Sequence, residues 1–443
     1  MTPEASASRL RNHYNVTLSR SSLPEKPMLV RSSPPGRSLL GVTVVLSVSL
    51  VFASPALAEI RGTDLVGERQ VVAAPDMQAV APDMTTPAAV LATSDGQLLW
   101  AREPNAERAM ASTTKIMTAI VVLEAVSDLA EMVTVPPEAA RVGEADVGLN
   151  AGQKLSVRQL LEAMLVHSGN DAATTLAVHV GGSIQGFVDL MNEKALSLNL
   201  EHTNFTNPHG LDDPDHHTTA ADLAIMAQYA MSKPTFREMV GKRTVDVPAG
   251  RTTQRFEASN LLLGAYDGAT GVKTGWTNDA GYCLVASAKR GGIELFAVIL
   301  GTKTENARFV QARRLLDWGF AHYGVREVAS AETTTALVAV TDYLDLTVPA
   351  VVAETTSTPV FDVLGEVSTR ASVADELRAP VARGQRLGTL SVEQGGRLIA
   401  QVPIVSAVDV PAPGGWERFK IGVTRLWRRV FGGQLRAQTV NVP

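Results

Sequence analysis

Short apolar runs joined by turn chemistry stand at two distant places in this chain, and the sequence between them has the period of helices. The first pair, Val90-Leu91-Ala92 and Leu98-Leu99-Trp100, flanks Ser94-Asp95-Gly96-Gln97 and reads as a hairpin. The second set begins at Val272-Lys273-Thr274-Gly275 and passes through Asp279-Ala280-Gly281 into a strand from Tyr282 to Ala288. It then turns at Lys289-Arg290-Gly291-Gly292 into a third strand, Ile293 to Leu300. Strands from both ends of one region that enclose helices predict an α+β fold, with a central antiparallel sheet and helices on its faces. A helix is expected from Glu305 to His322, with Phe309, Val310, Leu315, Leu316 and Trp318 apolar. From Val328 to Val410 the pattern becomes short Val- and Thr-rich runs broken at Ala379-Pro380, Arg383-Gly384 and Gln394-Gly395-Gly396, which predicts a small C-terminal all-β domain.

Three polar signatures interrupt this framework in order. Ser112-Thr113-Thr114-Lys115 opens a segment, Ser112 to Val126, that is apolar almost all round through Ile116, Met117, Ala119, Ile120, Val121, Val122 and Leu123, so the helix is expected to be buried. Ser and Lys three residues apart lie on one helix face, and a hydroxyl beside a potential base is an activated nucleophile. Polar groups at the opening of a buried helix are costly unless they line a cleft, and a helix N-terminus also favours developing negative charge. Ser168-Gly169-Asn170 falls on a turn between two expected helices, Val157 to Val166 and Ala172 to Val180. Lys273-Thr274-Gly275 sits at a strand edge. A lone Ser-x-x-Lys is weak, and Ser112 alone would be read as a helix cap; three signatures in sequence point to one site.

Composition narrows the class further. The chain has 443 residues, 45% hydrophobic and 19% charged, enough for two domains with appendages. A formal net charge of -5 supplies no global basic field, so no nucleic-acid partner is suggested. Cys283 is the only cysteine and lies in a predicted buried strand, so no internal disulfide is available and the thiol is read as structural. His216 and His217 beside Asp215 could invite a zinc reading, but no His-x-x-x-His spacing or separate ligand cluster supports a metal.

The ends carry localisation signals. An apolar run from Leu39 to Phe52, preceded by Arg31 and Arg37 and followed by Ala56-Leu57-Ala58, has the form of a secretory signal, with cleavage expected after Ala58. Residues 1–58 are therefore read as a signal peptide region and 59–84 as a linker. After Pro411-Ala412-Pro413-Gly414-Gly415, Trp416, Phe419, Val423, Leu426, Trp427, Val430 and Phe431 recur at helical period with Arg418, Lys420, Arg425, Arg428 and Arg429 between them. Residues 411–443 are read as a basic amphipathic tail that lies on a membrane surface; the competing structural reading is a helix folded back on its domain.

The signatures, with Met110 to Ala119, His167 to Ala173, Asn207-Pro208-His209-Gly210-Leu211, Gly271 to Gly275 and Asp279 to Tyr282, resemble the low-molecular-mass penicillin-binding proteins, serine-type D-alanyl-D-alanine carboxypeptidases. The resemblance implies a β-lactamase/transpeptidase-like domain over 85–325 and the β domain over 326–410. It implies that Ser112 attacks the carbonyl between the last two D-alanines of a peptidoglycan stem peptide and that Lys115 takes its proton. Ser168 and Lys273 would pass a proton to the departing D-alanine, Asn170 would hold the substrate amide, and Thr274 would bind the terminal carboxylate. Gly275 completes the motif, and backbone N–H groups of Ser112 and Trp276 would form the oxyanion hole. Trp276 stands where some relatives have histidine, and His216 and His217 resemble the family's substrate-side loop. No cofactor is implied, β-lactams would act as covalent inhibitors, and the enzyme would be exported, in the periplasm or on the outer face of the cytoplasmic membrane. A DD-endopeptidase, a weak β-lactamase or a non-catalytic wall-binding protein would carry much of the same sequence.

Overall fold

The computed structural model describes residues 81–442. The expected signal region, 1–58, lies outside the described residues, as does the expected linker up to residue 80. Residues 81–84 have no regular structure, yet Met84 is already buried.

The sheet closes from both ends of its domain, as the sequence predicts. Strands β1 (Ala88–Thr93) and β2 (Leu98–Arg102) form the N-terminal hairpin. Two small hairpins follow in the middle region, β3 (Met132–Thr134) with β4 (Lys154–Ser156) and β5 (Thr244–Ala249) with β6 (Thr252–Glu257). Strands β7 (Ala269–Thr277), β8 (Gly281–Arg290) and β9 (Ile293–Thr302) complete the main sheet in the order β2-β1-β9-β8-β7, with every pairing antiparallel. Strand β7, which carries Lys273-Thr274-Gly275, is therefore an edge strand.

The central strands are buried on both faces, and their side chains alternate between two cores. Val90 and Ala92 of β1, Cys283 and Val285 of β8, and Phe296, Val298 and Leu300 of β9 face the larger one. Leu91, Leu284, Ala286, Leu295, Ala297 and Ile299 face the other. The larger core is filled by six helices: α1 (Lys115–Ala125), α2 (Val157–Glu162), α3 (Asn170–Gly181), α4 (Ile184–Ser197), α5 (Ala220–Met231) and α6 (Pro234–Val240). The second is covered by α7 (Glu305–His322), whose observed bounds match the sequence expectation.

Helix starts follow local chemistry. Ser156 and Gln159 form a reciprocal capping box at α2, Ser183 accepts from Gly186 N at α4, Thr219 from Asp222 N at α5, and Thr304 from Ala307 N at α7. The opening of α1 has no such cap. Ser112 lies on a 3-10 turn, Ala111–Thr114, that feeds α1, rather than on the α-helix the sequence predicts, and Ala111 takes a left-handed φ of 49°. Likewise the segment after α2 winds into a π-turn, Ala163–His167, before Ser168 reverses the chain with φ 81°.

The β region begins at β10 (Tyr323–Ala329), directly after α7, which pairs with β13 (Thr356–Phe361). Strands β11 (Thr334–Val340), β12 (Thr347–Val352), β14 (Val367–Val373), β15 (Glu376–Leu377), β16 (Arg386–Gln394) and β17 (Arg397–Ser406) form a second sheet in the order β14-β16-β17-β12-β11-β15 around its own core. Phe361 joins the two regions, packing edge-on against Trp318 of α7 at 5.6 Å and Tyr323 at 6.2 Å.

The predicted amphipathic helix is α8 (Gly415–Phe431), with none of its residues buried. Its polar side is held to the β region. Arg428 pairs with Asp345 through both guanidinium nitrogens, at 2.8 and 2.7 Å, and Arg425 donates to the carbonyl oxygens of Thr341 and Tyr343. Beyond it the chain returns as β18 (Val440–Asn441) along β11, with Leu337 opposite Val440. Trp416, Phe419, Val423, Leu426, Trp427, Val430 and Phe431 remain exposed. Among the described residues no helix is long and apolar enough to cross a membrane.

Candidate active site

Lys115 sits where the geometry converges. It is fully buried, and its Nζ lies 2.7 Å from each of Ser112 Oγ, Asn170 Oδ1 and the His209 carbonyl oxygen. Three segments far apart in sequence thus meet on one amine. Burial is the largest influence and holds its pKa well below the usual lysine range; Lys273 adds to this, against opposing effects of Asp171 and Glu144.

Each partner is fixed from behind. Asn170 opens α3, and its Nδ2 donates to Gly143 O at 3.2 Å while its backbone N–H donates to Ala145 O at 2.7 Å. The next residue, Asp171, is buried and accepts from the backbone N–H groups of Val147, Leu149 and Ala172. It anchors the 143–150 loop beside the site. Burial raises the Asp171 pKa, and the three backbone bonds work the other way. On the opposite side the Asn207–Leu211 loop lies hard against the Ser112 turn. A Cβ on Gly210 would sit 2.0 Å from Ala111 O, and Gly210 has φ 91°, so only glycine fits.

The edge strand closes the site. A Cβ on Gly275 would lie 3.0 Å from both Ala111 Cβ and Ser112 N, so the backbone of the Lys-Thr-Gly signature runs directly beside the nucleophile's amide. Lys273 is buried, donates to Thr274 O at 2.9 Å, and has its pKa pulled down to about 7, first by burial and then by Arg308. Arg308, near the start of α7, donates to Gly275 O at 3.0 Å and stands over the Tyr282 ring. Thr274 Oγ1 lies 2.6 Å from Ser259 Oγ. Trp276 is 49% exposed and leans on Tyr282, its ring centroid 5.8 Å away.

Of the residues singled out from sequence, Ser112, Lys115 and Asn170 form one hydrogen-bonded cluster, and Gly275 packs against it. Ser168 is buried at the α3 turn, but among the described residues its hydroxyl has no hydrogen-bond partner, and Lys273 reaches only its neighbour's carbonyl. No hydrogen bond links Ser168 to Lys273 among the described residues. Asn170 turns both ends of its amide to protein groups rather than into an open cleft. His216 departs from the expected substrate-side position: it is 3% exposed and bonded to Thr114 under the nucleophile turn. Cys283 is buried with its thiol pushed up to about 11 by burial, which suits a structural thiol. Asp171, Arg308 and Thr114 were given no role by the sequence, and His216 was read only as part of a substrate-side loop. The Ser-Gly-Asn-Asp and Ser-Thr-Thr-Lys strings contain two of them, but their partners are distant.

A sequence profile described as D-alanyl-D-alanine carboxypeptidase matches residues 75–304, more than half of the chain, and one for the penicillin-binding protein 5 C-terminal domain matches residues 323–412. The chain belongs to the D-alanyl-D-alanine carboxypeptidase family. Within that family it is 32% identical to D-alanyl-D-alanine carboxypeptidase DacF of Bacillus subtilis over 353 residues, covering 75% of this chain and 90% of the relative. It is also 32% identical to DacC of Escherichia coli, over 74% of this chain and 86% of that one. Among solved structures, penicillin binding protein 5 from Haemophilus influenzae superposes with a TM-score of 0.56 at 31% identity, over 74% of this chain and 98% of its own. Carboxypeptidases of this family and this chain therefore share both the helix-and-sheet region and the β region that follows.

Proposed function

We propose that this enzyme releases the terminal D-alanine from peptidoglycan stem pentapeptides through an acyl-enzyme on Ser112. The observation that carries the reading is the hydrogen-bond arithmetic at Lys115. A neutral amine has two N–H donors and one lone pair. Two of its three neighbours, Asn170 Oδ1 and His209 O, can only accept, so they take both donors and leave the lone pair facing Ser112 Oγ at 2.7 Å. Burial, and after it the nearby Lys273, favour the neutral form of the amine. Lys115 then accepts the hydroxyl proton as Ser112 attacks the carbonyl before the last D-alanine.

Developing negative charge on that carbonyl oxygen falls between the N–H of Ser112 and the N–H of Trp276, which follows the close-packed Gly275. Lys273 and Thr274 on the edge strand receive the substrate's terminal carboxylate. Ser168, whose hydroxyl has no hydrogen-bond partner among the described residues, passes a proton to the leaving amine and recovers one from the protonated Lys115, so that the proton lost by Ser112 ends on the departing D-alanine. Asn170 holds Lys115 and meets the substrate amide through Nδ2, whose bond to Gly143 at 3.2 Å is the longer of its two. Water then frees the acyl group. β-Lactams enter the same path and stall at the acyl-enzyme. Residues 85–325 form the catalytic domain, 326–410 a β domain and 411–443 a tail whose exposed apolar face rests on the outer surface of the cytoplasmic membrane, so the enzyme acts outside the cytoplasm.

Labelling by a fluorescent penicillin, together with D-alanine release from a pentapeptide, tests this. Wild type is expected to label and release D-alanine, and Ser112→Ala to do neither. Label that persists on Ser112→Ala removes Ser112 from its role; cleavage confined to cross-linked dimers replaces the carboxypeptidase with an endopeptidase.

A further inference from the structure

His216 is buried on the loop that follows Asn207–Leu211, and its two ring nitrogens have different, fixed partners. Nδ1 accepts from the backbone N–H of Thr206 at 3.0 Å, with the Thr206 hydroxyl farther off at 3.4 Å, so it carries no proton. The proton is on Nε2, which lies 2.7 Å from Thr114 Oγ1 and donates to it. Thr114 must then turn its own hydroxyl hydrogen to the other acceptor in reach, Ala111 O, at 2.8 Å. The chain of hydrogen bonds runs from Thr206 N–H through His216 and Thr114 to the Ala111 carbonyl oxygen, on the residue before the nucleophile.

That end point is a strained one. Ala111 is a non-glycine residue with φ 49°, and Gly210 approaches its carbonyl so closely that a Cβ there would lie 2.0 Å from the oxygen. The bond from Thr114 to Ala111 O closes the 3-10 turn in this conformation and so sets the direction of both Ser112 Oγ and Ser112 N–H. We propose that His216 is a positioning residue for the nucleophile, acting through Thr114 and Ala111 on Ser112, and that only its neutral, Nε2-protonated form can do so.

The requirement for neutrality is geometric. A second proton on Nδ1 would point at the N–H of Thr206, setting donor against donor. The surroundings agree: the His216 pKa is lowered to about 4, chiefly by burial and with His217 and Lys115 acting the same way, against Asp213 and Asp212 on its own loop. His209, across the loop, is coupled to it. The Phe205 ring meets the imidazole edge-on at 5.8 Å and holds its plane.

The inference rests on Ser112 as nucleophile, and the test separates the two. Acylation rates with a fluorescent penicillin, kcat and KM for D-alanine release, and thermal unfolding are compared for wild type, His216→Asn, His216→Gln, Thr114→Val, the His216→Asn/Thr114→Val pair and Ser112→Ala. Asn keeps an acceptor at the Nδ1 position and loses the donor to Thr114; Gln reaches the Nε2 position with an N–H. Misplacing a reacting group by about 1 Å costs on the order of 100-fold. His216→Asn and Thr114→Val are therefore each expected to slow acylation and kcat by roughly 10- to 100-fold with KM little changed. The pair should be no slower than its slower member, because both act through one bond, and His216→Gln should keep most of the rate. Folded His216→Asn or Thr114→Val protein that acylates at the wild-type rate overturns the proposal, as do losses that multiply in the pair or a His216→Gln as slow as His216→Asn. Should His216→Asn not fold, Thr114→Val, which keeps the histidine, decides alone. Label that persists on Ser112→Ala overturns the nucleophile assignment instead.

Discussion

Mild acid should loosen this protein through its buried histidines. His209 and His216 are both buried under the nucleophile turn, and burial lowers their pKa values from 6.5 to about 3 and about 4. Above pH 6.5 both are neutral whether the chain is folded or not, so neither affects stability. As pH falls below 6.5 the unfolded chain binds protons that the native state refuses, and stability drops until the native values are reached. The limiting slope is about 1.36 kcal/mol per pH unit for each group. From pH 6.5 to about 5 this amounts to roughly 3 kcal/mol for the pair, after allowing for partial protonation at the upper end. That is a large part of the roughly 5–15 kcal/mol that holds a domain together. Other buried groups act in or beside this window: Lys115, whose pKa lies well below the usual lysine range, adds to the loss while its native form stays unprotonated. Lys273, at about 7, titrates mostly above the window, and the buried carboxyls Asp171 and Asp222, whose raised pKa values favour the native state as they protonate, work against the loss. Urea unfolding at pH 6.5 and 5 would measure the loss, with His216→Gln as the internal control expected to recover about half of the histidine part, roughly 1.5 kcal/mol. A wild-type change under about 1 kcal/mol, or a His216→Gln variant with the full wild-type loss, would refute the reasoning.

Two further outcomes follow from the geometry. Gly275→Ala places a methyl 3.0 Å from Ser112 N and Ala111 Cβ; overpacking of this kind costs about 1–3 kcal/mol, and acylation by penicillin should fall at least about tenfold because the nucleophile turn must move. Thermal unfolding and labelling kinetics read the two effects separately, and wild-type labelling would show that Gly275 does not confine Ser112. Replacing Trp416 and Trp427 by Ser removes apolar area worth about 1.5–3 kcal/mol per side chain on transfer from water. Binding to anionic vesicles, measured by sedimentation, should weaken by at least about tenfold while D-alanine release from a soluble peptide stays the same; unchanged binding would take the membrane role from α8.

What the sequence makes legible is what depends on neighbours along the chain. The hairpin at Ser94-Asp95-Gly96-Gln97, helix α7 and the edge position of Lys273-Thr274-Gly275 all follow from period and turn residues, and all are found. The Ser112 and Lys115 spacing is legible for the same reason. The 3-10 turn beneath Ser112 is not, because it is imposed by the Asn207–Leu211 loop pressing on Ala111 and by a hydroxyl bonded to an imidazole 102 residues away. His216 is hidden on the same account: beside Asp215 and His217 the sequence places it on a substrate-side loop, and only the folded chain turns it inward to Thr114. Asn170 illustrates a subtler limit. Its place at the site can be read, but its grip on Lys115 and Gly143 cannot.

The return of the chain as β18 along β11 after helix α8 bears on how the protein can be handled. A cut made before Trp416 to obtain a version free of lipid affinity also strips the last strand from a sheet and leaves backbone groups of Ala336 and Leu337 without their neighbours. Such an uncovered margin invites another copy to pair with it. Polar replacement of the exposed aromatic side chains, with the polypeptide left whole, removes the greasy face without opening that seam.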